Sequence, residues 1–213
     1  MRTLALAGLL VLATVAPAAA QSPHDRALGE LGRPDDVGAR REAVRTLADT
    51  GIMADLPALA RALRDPDPTV RALTEGAMWE VWSRSGDADI DRLFAVGVEQ
   101  MNVRQLNEAV KTFSEIIRRR PEFAEGWNKR ATVYFVLGEY RKSLADCDEV
   151  LARNPYHWGA LSGYGMIYVE LDQPGRAVEY FQKALAVNPN LTSVEQAIET
   201  LKAQLLQRRR ETI

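Results

Sequence analysis

Three prolines, Pro121, Pro155 and Pro189, stand 34 residues apart, and each follows a stretch with helical apolar spacing. A fixed period of this kind means stacked copies of one supersecondary unit, because a unit that short cannot bury its apolar face alone. Upstream of each proline the same small-then-large ladder recurs: Ala109 with Phe113, Ser143 with Cys147, Ala177 with Phe181. The small residue lets two helices approach and the larger one fills the gap. A proline lacks the backbone donor and disfavours helix in the residue before it, so each marks a helix end. Gly138 and the Gln173-Pro174-Gly175 turn split their units in two, which makes each unit an antiparallel helix pair.

Further upstream in the three units lie Leu93-x-x-Val96-Gly97, Trp127-x-x-Arg130-Ala131-x-x-Tyr134 and Leu161-x-x-Tyr164-Gly165-x-x-Tyr168. With the ladders and prolines, these strings resemble tetratricopeptide repeats (TPRs) from about Asp89 to Arg210, the stretch Leu191 to Arg210 reading as the solvating cap helix of an open array. Departures are Gln100 where an aromatic is usual, Arg130 where Leu is usual, and Ser143 and Cys147 in the Ala and Phe places; none breaks the 34-residue frame. The resemblance implies that the first helix of every repeat lines a concave groove that takes peptides or partner segments. The expected lining positions are Asp91, Phe94, Val98 and Met101, then Glu125, Asn128, Thr132 and Phe135, then Gly159, Ser162, Met166 and Val169. Of these, Phe94, Val98, Met101, Asn128, Thr132, Phe135, Ser162, Met166 and Val169 are the candidate partner-binding residues, and Glu125 is expected on the rim. Chaperone-binding members of the family clamp a terminal carboxylate with Lys and Asn. The matching places here hold mostly Phe94, Val98, Gly159 and Gly163, with only Asn128 and Lys129 polar, which argues against such a clamp. The alternative left open is that the protein's own N-terminal arm or cap helix covers this surface.

The stretch 38–87 follows another rule. Ala39, Ala43 and Leu47 give one helical face, Leu56, Leu59 and Leu63 a second, and Val70, Leu73, Ala77 and Val81 a third. Between the second and third runs Asp65-Pro66-Asp67-Pro68-Thr69-Val70-Arg71, in which Asp67 can cap the next helix, Pro68 suits its first position and Arg71 can reach back to the acidic turn. This string resembles the turn of a HEAT-type repeat. One and a half such units cannot bury both faces alone, so they are expected to stack directly onto the first tetratricopeptide repeat. Residues 21–37, with Pro23, Gly29, Gly32, Pro34 and one short apolar run, read as a mobile arm with a helical turn.

Arg2, the apolar stretch Leu4 to Val15, and Ala18-Ala19-Ala20 before Gln21 read as a secretory signal peptide, too short for the roughly 20 residues of a spanning helix. Cleavage after Ala20 would leave a protein free in the periplasm or secreted, with no stable membrane span. The chain thus divides into 1–20 leader, 21–37 arm, 38–87 HEAT-like helices, 88–189 TPR array and 190–213 cap helix.

With 27 Lys+Arg against 29 Asp+Glu, the chain lacks the basic excess of a nucleic-acid binder, and its 46% hydrophobic residues suffice for a core. The single cysteine, Cys147, sits among Leu144 and Val150 and reads as a buried thiol, intermolecular bridging being the other possibility. His24 and His157 stand in no metal-ligand spacing and beside no nucleophile, and His157 reads as a surface residue at a helix start. Asp87-x-Asp89-x-Asp91 opens like a calcium loop but has Arg92 sixth and Val98 twelfth, so it reads as acid at a helix N-terminus. Arg118 to Arg120 and Arg208 to Arg210 suit helix C-termini. Gly163 and Gly165 lie within a helix, where they allow close packing or a close ligand. Trp79 and Trp82, with Met78, read as filler between the two repeat types.

The expected fold is therefore an all-α, right-handed α-solenoid of antiparallel helix pairs. The expected function is a scaffold or adaptor, periplasmic or secreted, that binds another protein or peptide segment in an apolar concave groove and needs no cofactor or metal. Two alternatives stand beside it: a carrier of a small apolar ligand or lipid, and an enzyme akin to HEAT-containing lyases, for which no nucleophile with a neighbouring base is found. The partner's identity and the oligomeric state stay open.

Overall fold

The computed structural model describes residues 21–211, so the signal-peptide reading of residues 1–20 lies outside the described residues. Eleven α-helices follow one another among the described residues: α1 Pro23–Leu31, α2 Val37–Thr50, α3 Leu56–Ala62, α4 Pro68–Ser83, α5 Ala88–Asn102, α6 Leu106–Arg119, α7 Ala124–Val136, α8 Tyr140–Arg153, α9 Trp158–Glu170, α10 Pro174–Val187 and α11 Thr192–Glu211. The pairs α5/α6, α7/α8 and α9/α10 are the three 34-residue units, and α11 packs on α10 as the expected cap. The result is an all-α solenoid of helix pairs.

Each unit turns between its helices at the same place. Arg104, Gly138 and Asp172, 34 residues apart, all adopt positive φ, of 58°, 74° and 52°. Only the middle unit places there the glycine that this left-handed conformation favours.

The small-then-large ladder becomes a packing rule at the helix crossings. A Cβ added to Gly97 would sit 2.7 Å from the Phe113 ring, and one added to Gly165 would sit 2.4 Å from the Phe181 ring. The middle unit holds Ala131 at the Gly position and Cys147 at the Phe position, both buried in one core. A methyl is added where a ring is removed, which accounts for the departure at Cys147. Ser143 Oγ donates to the Ala131 carbonyl at 2.7 Å, so the hydroxyl in the Ala place is satisfied. Arg130 has an equally specific partner: its Nε and Nη2 grip the two oxygens of buried Asp146, each at 2.8 Å, while Nη1 donates to Ser114 Oγ at 2.9 Å. The unusual Arg therefore ties α6, α7 and α8 together. Gln100 Oε1 likewise accepts from Thr112 Oγ1 at 2.7 Å.

In the N-terminal half the acidic turn forms as read. Asp67 caps α4 by accepting the Val70 N–H at 2.9 Å, Pro68 opens the helix, and Arg71 Nη1 donates to the Asp65 carbonyl at 2.8 Å. Arg40 and Arg41 of α2 add paired hydrogen bonds to the Asp65 and Asp67 carboxylates. With the Arg41 guanidinium beside it, the Asp67 carboxyl is held down at about 2. Residues 21–37 depart from the arm reading. Ser22 caps α1, Pro23 takes its first turn, Ala27 is buried, and His24 Nε2 meets Asp55 Oδ2 at 2.8 Å, so the stretch is a nine-residue helix packed on α2.

The N-terminal half, expected to stack directly onto the first repeat, instead lies along the row of loops that join one repeat to the next. Asn190 Nδ2 donates to the Leu63 carbonyl and Asn188 Nδ2 to Glu75 Oε1, each at 2.9 Å. Arg64 reaches the Ala186 and Val187 carbonyls at the end of α10, and Arg120 Nη2 reaches the Ser85 carbonyl. The aromatic pair on α4 packs at the α8–α9 junction, where Trp82 lies 4.4 Å and Trp79 5.7 Å from the Trp158 ring. As a result, one core runs from Ala27 to Leu201, while the first repeat keeps a smaller core of Ile90, Ala109, Phe113, Ile116, Phe123 and Val133.

The Gly-with-Phe and Ala-with-Cys pairing predicts a coupled pair. Cys147→Phe alone should overpack against Ala131 and cost about 1–3 kcal/mol. Ala131→Gly should recover most of that loss in the double variant although it is itself destabilising as a helical glycine. Urea unfolding of both singles and the double variant checks this; additive losses would show that the two positions do not meet.

Candidate functional site

The lining residues expected from the sequence do not behave as one row. Phe94 turns inward in the first repeat, edge-on to Phe113 and Phe123 at ring distances of 6.0 and 5.5 Å, and Val98 and Met101 pack against the same small core. Met101 faces a separate hollow with Leu106, Val133 and Val136.

The members on α7 and α9 do converge. Asn128, Thr132, Phe135 and Met166 line a cavity of about 130 Å³ floored by Ala131, Ser143, Cys147, Gly159 and Gly163. Phe135, Met166 and Val169 continue into a second cavity of about 410 Å³. Its far wall is α11, through Ala197, Thr200, Leu201 and Gln204. The shared Phe135 and Met166 make the two one groove. Met166 is 47% and Val169 42% exposed, so two large apolar side chains stand open on one wall. Ser162 is half-buried and lines neither cavity. The α11 wall was not named from the sequence, although Ala197 and Leu201 at i, i+4 carried its signal; the cap helix forms a wall here and leaves the groove open.

Beneath the groove lies a network the sequence reading placed on the surface. Glu125, expected on the rim, and His157, expected at an exposed helix start, are both 0% exposed. His157 Nδ1 accepts the Ala160 N–H at 3.0 Å, capping α9. The proton therefore sits on Nε2, which donates to Glu125 Oε1 at 2.5 Å. Asn128 Nδ2 donates to both Glu125 oxygens, at 3.2 and 3.0 Å, and Lys129 Nζ stands 3.8 Å away. Trp82 stacks on the imidazole at 4.5 Å and 20°, and Trp79 meets it edge-on at 5.5 Å. Asn128 and Lys129, the two polar residues at the places of a carboxylate clamp, are thus both engaged by Glu125. Burial pushes the Glu125 carboxyl up, but His157, Lys129 and Asn128 outweigh it, and the net shift is below the ordinary value. The imidazole and carboxylate are both fully buried, and together they join the start of α9 to α7. Cys147, at the groove floor, is a buried free thiol pushed up to about 12 by burial and by Asp146 and Asp148, so it stays protonated. The reading of Asp87 to Asp91 as helix-start acids holds: Asp87 accepts the Asp89 and Ile90 amides, and Asp91 accepts from Ser85.

A depressed buried carboxylate stabilises the fold above its unfolded value, near 4.5, and that contribution is lost as the pH falls through the lower folded value. Melting temperature should therefore drop from about pH 7 to about pH 3.5, and Glu125→Gln should be less stable at neutral pH yet lose less on acidification. Thermal melts of wild type and variant at both pH values check this; equal acid sensitivity would show that Glu125 carries none of it.

The comparisons with known proteins follow the same division. The tetratricopeptide repeat profile matches residues 97–157 and 128–192. A TPR repeat-containing protein of Rhizobium etli is 31% identical over 142 residues, covering 67% of this chain and 69% of that protein. Among solved structures, the Sgt2 TPR domain from Aspergillus fumigatus superposes with a TM-score of 0.55 at 19% identity, covering 58% of this chain and 83% of that one. The TPR2B domain of yeast Sti1, in its complex with pHsp70, superposes at 0.51 and 22% identity, covering 55% and 99%. With the 34-residue helix pairs, the glycine-and-ring crossings and this relative, the chain belongs to the tetratricopeptide repeat family.

Proposed function

We propose that this TPR protein-interaction domain is the working part of a periplasmic or secreted adaptor, holding an apolar segment of a partner protein in the groove between α7, α9 and α11. The observation that carries this is the convergence of Phe135, Met166 and Val169 on one open wall facing Ala197 and Leu201. A groove of this shape suits a short segment that inserts one or two apolar side chains and presents its backbone to Thr132, Thr200 and Gln204. The first TPR of Spaghetti (RPAP3), a protein of similar fold, is bound to an HSP90 peptide, which supports a peptide as the class of ligand. Recognition here differs from a charge clamp, since Asn128 and Lys129 are turned to Glu125. The leader-like composition of residues 1–20 supports an exported location. Among the described residues no helix is long and apolar enough to cross a membrane.

A random peptide display selection on the full chain tests the reading. Selected peptides should share an apolar anchor. Met166→Glu, which puts a charge on the shared wall, should weaken them by about tenfold or more, because a buried unpaired charge costs several kcal/mol. Lys111→Ala, on the exposed face of α6 where Lys111 pairs with Glu108, should change nothing. Peptides that bind Met166→Glu at wild-type strength would move the binding surface elsewhere.

A further inference from the structure

A further cavity, separate from the groove, has several hydrogen-bond donors among its lining residues. It holds about 130 Å³ between the N-terminal half and the first two repeats, and is lined by Met53, Trp82, Arg84, Ser85, Arg120, Glu122, Phe123, Ala124 and Asn154. Three buried side-chain nitrogens find no hydrogen-bond acceptor among the described residues: Trp82 Nε1, Asn154 Nδ2 and Arg120 Nε. All three belong to residues that line this one cavity. Trp82 is 2% and Asn154 0% exposed. Arg120 Nε stands 2.7 Å from Glu122 Oε1 but out of line for a hydrogen bond. Helix α7 starts at the same wall, and its N-cap residue, Phe123, offers no side-chain acceptor to the first amides. Unpartnered buried donors of this kind cost free energy, so their collection in one place requires an explanation.

The 34-residue period supplies one. Asn154 and Asn188 occupy the same position in consecutive repeats and make the same turn. Asn154 Oδ1 accepts the Tyr156 N–H at 3.1 Å, and Asn188 Oδ1 accepts the Asn190 N–H at 3.0 Å. This fixes which end of each amide faces outward as donor. At Asn188 that donor meets a carboxylate, Glu75 Oε1, at 2.9 Å. At Asn154 the same donor has no acceptor among the described residues, and Asn154 lines a cavity with Trp82, whose indole N–H also lacks one, with Arg120, and with Arg84, whose guanidinium donates to the Ala48, Asp49 and Gly51 carbonyls. A site holding one water needs only about 10–15 Å³, so there is room for a larger acceptor.

We propose that this cavity binds a carboxylate group, taken by Asn154 Nδ2 and the Trp82 indole N–H, with Arg120 and Arg84 supplying positive charge. Donors without acceptors select an anion, and the neighbouring repeat shows that this amide takes a carboxylate oxygen. The carboxylate comes either from a small free acid or from an acidic residue of a peptide, and neither source involves the apolar groove.

Nitrogen-edited NMR of the full chain tests this with acetate as probe. The Trp82 indole signal is assigned with Trp82→Phe. Sodium acetate is titrated against sodium chloride at matched ionic strength, and N-acetylaspartate amide forms a second arm. Saturable movement of the Trp82 and Asn154 side-chain N–H signals with acetate supports the small-acid source; movement only with the aspartate derivative supports the peptide source. Asn154→Ala should weaken binding at least about tenfold, the loss expected for a hydrogen bond to a charged group. Glu122→Gln, on the exposed rim, should tighten it several-fold and serves if Asn154→Ala does not fold. No saturable shift in the wild-type chain with either acid, the same shift with chloride, or unaltered binding in both variants would overturn the proposal.

Discussion

The contact between an imidazole and an indole joins the N-terminal half of this molecule to its second and third repeats. His157 caps α9 through one ring nitrogen, holds the Glu125 carboxylate of α7 through the other, and offers its face to Trp82 of α4. One side chain thus sets the start of the third repeat, its spacing from the second, and the position of the N-terminal half. A buried carboxylate is tolerable only when its lone pairs are used, and here Asn128 and Lys129 complete the set. The requirement is reciprocal, because an unpaired Glu125 would pull water into the seam that the tryptophans close.

This seam explains why the groove is apolar. With the Asn128 amide and Lys129 drawn to Glu125, the large side chains that α7 and α9 show on the concave wall are Phe135, Met166 and Val169. The close helix approach made by Gly165 against Phe181 brings α9 near α10, and α11 follows α10, so Leu201 and Ala197 come to face Met166. Small residues at the crossings and large ones on the wall are two consequences of the same spacing.

Much of this was legible in the sequence. The proline period gave the pairs, their limits and the cap, because a period states a physical repeat without reference to partners. The Asp65 to Arg71 turn was legible for the same reason: its cap, its proline and its arginine act over a few residues. Positions that depend on distant partners were not. Glu125 has the charge of a rim residue, and nothing near it in sequence reveals that His157, 32 residues on, meets it in the interior. Phe94 has the helical phase of a groove residue, but in the first repeat Phe113 and Phe123 draw it into a core of its own. Residues 21–37 read as an arm because their glycines and prolines are visible and the surface of α2 that receives Ala27 is not.

The departures from the repeat pattern carry more information than the matches. Where the family pattern has an aromatic, a Leu and a Phe, this chain has Gln100, Arg130 and Cys147, and each substitution arrives with its own compensation: Thr112, Asp146 with Ser114, and Ala131. At each of these positions the polar group that replaces the apolar one has a hydrogen-bond partner, or the lost volume has a neighbour that grows. The few buried donors left without an acceptor among the described residues, Trp82 Nε1, Asn154 Nδ2 and Arg120 Nε, are therefore out of character for this chain. They belong to residues of one cavity between the N-terminal helices and the repeats, and the equivalent amide one repeat further along, Asn188, donates to the Glu75 carboxylate of α4.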